Sequence, residues 1–123
     1  MRQEWLDELN RQEFEHAGLK CLILRDKFLY LSGYAALPEG HPYFGKHFKD
    51  IPIRVHKGLT SSGQGDGDNR EKGYWWVGFS CERPGDLVPA RPRTEYTSGG
   101  EVYRNFEYVK DEVKKLAEQM AAA

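Results

Sequence analysis

Long apolar runs are missing from this 123-residue sequence. A membrane-spanning helix needs about 20 consecutive apolar residues, and no stretch approaches that. The opening Met1-Arg2-Gln3-Glu4-Trp5 has none of the apolar core of a secretory signal. A cytoplasmic location is therefore expected. Cysteine is scarce: Cys21 and Cys81 are the two in the chain, and in a reducing compartment they are expected as free thiols. Paired metal-ligand motifs of the CxxC or HExxH kind do not occur, so neither a metal nor a cofactor is expected. Gly63-Gln64-Gly65-Asp66-Gly67 is rich in glycine but lacks the spacing of a phosphate loop, and its acidic residue would repel phosphate. Net charge is also lacking. Eighteen basic residues face nineteen acidic ones, which excludes bulk nucleic-acid binding through a concentrated basic face.

Rings are what the sequence does have. Aromatic residues make up 13% and charged residues 30%, a globular rather than a disordered composition. The most informative stretch is Gly73-Tyr74-Trp75-Trp76-Val77-Gly78-Phe79-Ser80-Cys81. Side chains alternate along an extended backbone, so Trp75 and Trp76 must point to opposite faces. One can serve the core; the other must meet a second layer, a partner or a ligand.

The chain reads as a single domain over 1–123, α+β in class, with a mostly antiparallel sheet. An N-terminal surface helix is expected over 1–18, with a narrow stripe of Trp5, Leu6 and Leu9, stopped at Gly18. Sheet and loops fill 19–100. Cys21–Arg25 and Phe28–Ala36 form a hairpin about a turn at Asp26-Lys27, and Gly33 marks a bulge or a close backbone approach. Residues 38–47 read as a packed loop anchored by His41, Tyr43 and Phe44. Ile51, Ile53 and Val55 alternate with Arg54 and His56, predicting a strand with one buried face. Residues 61–72 read as a flexible loop and 82–100 as an irregular connection. An amphipathic helix over 101–120 packs on the sheet through Phe106, Val109, Val113, Leu116 and Met120. Ser98 with Glu101, or Asn105 alone, caps its start.

The candidate ligand-binding residues are Trp75, Trp76, His41, Tyr43, Lys46, Arg54, His56, Arg83 and Asp86. Stacking rings beside guanidinium groups are the chemistry that recognises a nucleotide-like ligand. Catalysis carries less of a signature. Cys81, His56 and Asp86 supply the parts of a nucleophile, base and orienting acid, yet no local motif marks Cys81, and no catalytic residue is assigned.

The series Gly33-Tyr34, Gly40-His41-Pro42-Tyr43, Gly45-Lys46, Val55-His56, Gly58-Leu59-Thr60, Trp75-Trp76-Val77-Gly78-Phe79, Cys81 and Gly85-Asp86 resembles a family of small uncharacterised phage and prophage proteins, over about residues 32–120. The chain departs from that pattern at Lys57, where a glycine is usual, and at Ser80 and Arg83, where Asp and His are. The resemblance implies a phage-type accessory protein acting in the host cytoplasm. Together with the missing catalytic signature, it leads to the expectation of a non-enzymatic counter-defence protein that sequesters a small nucleotide-like ligand, as a homo-oligomer. The alternatives are a direct inhibitor of a host defence complex, anti-CRISPR-like, and a small metal-dependent or cysteine hydrolase.

Overall fold

A computed structural model describes residues 3–91 and 99–123. The fold is α+β: five antiparallel strands form one open sheet, and a C-terminal helix packs on it. The strands are β1 (Arg11–His16), β2 (Leu19–Arg25), β3 (Leu31–Leu37), β4 (Ser61–Gln64) and β5 (Trp75–Ser80), in the order β1-β2-β3-β5-β4; the helix is α1 (Phe106–Ala121). Among the described residues, no helix is long and apolar enough to cross a membrane.

The main core lies between the sheet and α1. Cys21 and Ile23 from β2, Leu31, Ala35 and Leu37 from β3, and Val77 and Phe79 from β5 meet Val109, Val113, Leu116, Ala117 and Met120. Gly33 sits in regular register, opposite Ile23 and Phe79, with no bulge. A Cβ there would lie 2.3 Å from Val113 Cγ2, so this glycine lets the helix approach the sheet. Asn105 caps α1, its Oδ1 accepting from the Tyr108 N–H at 2.8 Å; the alternative cap at Ser98 falls outside the described residues.

The opposite face of the sheet is closed by the chain itself. Residues 65–73 fold back across it as a strap. The Trp76 indole N–H donates to the Glu71 carbonyl at 2.9 Å, and the Arg70 guanidinium lies 5.1 Å over the Tyr34 ring. Leu22, Ala36 and Trp76 are buried beneath it. Both faces are thus covered, which is why Leu22 and Ile23, adjacent in β2, are both fully buried and β2 reads as a continuous apolar run.

Four expectations need correction. The N-terminal helix is absent: Glu4–Leu6 make one 3-10 turn, and Arg11–His16 are strand β1. Gly18 does not stop a helix. With Ala17 it forms a tight hairpin turn, φ +54° and +81°, the doubly left-handed turn that suits two-residue hairpins. The β2–β3 connection is longer than Asp26-Lys27, since β3 begins only at Leu31. Residues 61–64 of the expected flexible loop are edge strand β4, paired to β5.

The fourth correction concerns 51–56, which is no strand. Ile51, Ile53 and Val55 are buried as the alternation required, but the segment docks on α1 instead of pairing in the sheet. Gln119 holds Arg54 in place of a neighbouring strand. Its Oε1 accepts from the Arg54 N–H at 3.4 Å, and its Nε2 donates to the Arg54 carbonyl at 3.2 Å.

Candidate functional site

Tyr108, Glu112, Lys115 and Gln119 recur at steps of four, three and four residues, so they share one stripe of α1. This polar stripe runs beside the apolar one and receives the segment 51–58. His56 departs from the alternation: both it and Val55 are buried. The backbone explains this, for His56 (φ +27°) and Lys57 (φ +59°) both take the left-handed region. That conformation costs roughly 1–2 kcal/mol per non-glycine residue. It turns the imidazole inward, and the contacts made there hold it.

Those contacts converge on Asp86. His56 Nε2 donates to Asp86 Oδ2 at 2.6 Å, and both side chains are fully buried. The Arg83 N–H donates to the same oxygen at 3.0 Å. Arg104 Nε donates to Oδ1 at 2.9 Å, and Lys57 Nζ lies 3.4 Å from it. With Nε2 turned to Asp86, Nδ1 lies 2.6 Å from the Tyr108 hydroxyl. The His56 N–H donates to Glu112 Oε1 at 2.8 Å. Burial acts to raise the Asp86 carboxyl, but hydrogen bonds from His56 and Arg104 outweigh it and hold the group at about 2. A parallel bridge between Asp86 and Val102 ties the turn at 83–86 to the approach of α1.

The donor atoms of His56, Cys81 and Asp86 lie within 4.8 Å of one another. Neither chemistry open to such a trio fits well. A divalent cation would meet a carboxylate already held by Arg104 and Lys57, whose charges oppose a third. As a nucleophile, Cys81 lacks a base, because Tyr108 and Asp86 occupy both imidazole nitrogens. Burial, and next the charge of Asp86, also push its thiol well above the ordinary cysteine value. Cys21 and Cys81 are both free and buried.

Outside this hub runs a groove of about 700 Å³, walled by Ile51 to Gly58 and by Glu112 and Lys115 of α1. Arg54 is exposed in it, and its guanidinium has no partner among the described residues. Lys115 pairs with Glu112 at 2.9 Å. A second cavity, about 500 Å³, lies beside the strap between Arg11, Glu13, Glu15, Lys20, Glu71 and Trp76. Its cations are matched: Arg11 pairs with Glu13 at 2.7 Å and Lys20 with Glu71 at 2.8 Å.

The nine residues singled out from the sequence fall into three places. His56 and Asp86 form the hub; the Arg83 backbone joins them, and Arg54 lies in the adjoining groove. His41, Tyr43, Lys46 and Trp75 belong to the loop and strand end at the other extreme of β5. There His41 Nε2 donates to the Met120 carbonyl at 2.8 Å, and the Trp75 indole N–H to the Lys46 carbonyl at 2.9 Å. Trp75 stands four residues before Phe79, the ring that meets His56 at 5.9 Å, so about 13 Å along the strand separates the two groups. Trp76 lies on the opposite face of the sheet, under the strap. The tryptophans diverge as their adjacency requires, and each indole N–H is satisfied by the protein's own backbone. Sequence reasoning did not single out Tyr108, Glu112 and Lys115 as site residues. Their signal was the polar stripe on α1, and above all a glutamate flanking its apolar face.

Compared with family models, curated proteins and solved structures, the chain matches none.

Proposed function

We propose that the protein is a non-enzymatic binder of a small nucleotide-like anion, held in the groove between segment 51–58 and α1. The observation that carries this reading is Arg54. It is a guanidinium without a partner among the described residues, on a segment whose backbone is fixed on both sides by Gln119 and by the buried hub. A cation fixed in advance binds an anion with little ordering cost, and a groove of this volume suits a small ligand. The guanidinium plane of Arg54 offers a flat surface to a base. The resemblance to phage and prophage proteins supplies the setting: sequestration, in a host cytoplasm, of a nucleotide-derived defence signal. Calorimetry with ADP-ribose and with cyclic AMP tests the reading. At least one is expected to bind, and Arg54→Ala to weaken it tenfold or more. Uptake of neither probe would sink the proposal.

A further inference from the structure

We infer that Lys57 sets the ligand class, selecting a nucleotide with two phosphate charges over one with a single charge; this rests on the binding reading above. Three observations lead to it.

The first is conformational. The turn at 56–57 requires the left-handed region at two successive residues, His56 and Lys57. Glycine takes that region freely and lysine does not. A lysine here therefore holds its place through its side chain rather than through backbone preference.

The second is that the hub does not need it. Asp86 already accepts from His56, from the Arg83 N–H and from Arg104 at 2.6–3.0 Å. Lys57 is the most distant of its cations at 3.4 Å, and its side chain is about a third exposed (35%). Its ammonium also donates to the Pro84 carbonyl. If Lys57 turned to a ligand, the buried carboxylate would keep three donors and no buried charge would be orphaned.

The third is charge balance. Among the described residues, four cations (Arg54, Lys57, Arg104 and Lys115) surround the groove and hub against two carboxylates (Asp86 and Glu112). Arg104 is committed to Asp86 and Lys115 to Glu112. Arg54 has no partner among the described residues, and Lys57 shares a carboxylate that three other donors already satisfy; the two lie on the same wall, three residues apart. Arg54 offers a planar fork and Lys57 a compact point charge, both suited to phosphate oxygens. A diphosphate satisfies both, whereas a single phosphodiester leaves one of them unanswered.

The experiment is calorimetry of the full chain with ADP-ribose, which carries two phosphate charges, and cyclic AMP, which carries one. Two variants are compared with the wild type: Lys57→Gly, which relaxes the turn, and Lys57→Gln, which keeps the side chain's bulk without its charge. Thermal melts check that both remain folded. The wild type is expected to prefer ADP-ribose at least tenfold. Both variants should lose at least tenfold for ADP-ribose and stay within twofold for cyclic AMP, erasing the preference. Equal wild-type affinity for the two probes overturns the inference. So does unchanged ADP-ribose binding in either variant while Arg54→Ala loses it; in that case the binding reading survives. Uptake of neither probe by the wild type removes both.

Discussion

The sheet carries charged residues on both sides, and the two sets differ in how much water reaches them. On the helix side, Asp86 and His56 are fully buried, and three hydrogen-bond donors and the Lys57 ammonium, from three separate segments, close on one carboxylate. On the strap side, Lys20 and Glu71 meet at a similarly short 2.8 Å, but their side chains remain 44% and 56% exposed. Equal distances do not mean equal energies. In water the attraction is screened and both side chains must be ordered to make it; a buried charge has no solvent to fall back on. The hub should therefore govern folding, while the strap's ion pair decorates a surface already closed by Trp76.

The widest gap between the two sides should appear on removing one charge from each. Asp86→Ala leaves Arg104 and Lys57 without a counter-charge and the buried Nε2–H of His56 without an acceptor. A loss of about 3–5 kcal/mol is expected, read as a lower midpoint in denaturant unfolding. If Asp86→Ala unfolds at the wild-type midpoint, the hub is not holding the 51–58 segment, and the contrast with the strap collapses.

Acid should sharpen the same contrast by a smaller amount. Asp86 is depressed from 3.8 to about 2, so the unfolded chain takes up this proton before the folded one does. Its contribution is present in full above about pH 4 and is lost as the pH falls toward 2. The magnitude is on the order of 2 kcal/mol. Glu112 is also lowered, by Lys115 and the His56 N–H working against burial, and its loss runs in the same direction. Denaturant midpoints across pH 5 to 2 should fall steeply for the wild type and more gently for Asp86→Asn. Parallel curves would mean that Asp86 is not the titrating group.

What could be read in advance follows the same division between apolar and polar contacts. The α1 stripe was legible because Val109, Val113, Leu116 and Met120 obey one period and are all buried. The β5 parity was legible because adjacent indoles cannot share a face. Strand β1 was missed since it is an edge strand whose outward residues, Arg11, Glu13 and Glu15, favour helices; Phe14 is the lone large apolar residue on its inner face. In 51–55 the alternation reported burial correctly, but burial does not say whether a strand or a helix provides the cover. The hub was half visible. His56 and Asp86 could be named as chemistry-bearing residues, but their partnership depends on two left-handed backbone turns at residues with no intrinsic preference for them. Nothing in the composition of Val55-His56-Lys57 announces that.

The smallest expected effect belongs to the strap. Lys20→Ala removes the ammonium that meets Glu71 and lies 5.3 Å from the Tyr74 ring. The strap keeps its other ties: the Trp76 indole still donates to the Glu71 carbonyl, and Arg70 still covers Tyr34. Neither tie depends on the charge of Lys20, and Glu71 remains solvated when left alone. The denaturation midpoint should therefore stay within experimental error of the wild type, at low and high salt alike. A clear, salt-sensitive destabilisation would show that the strap is fastened by charge rather than by the ring beneath it. Exposure would then no longer separate the two sides of the sheet.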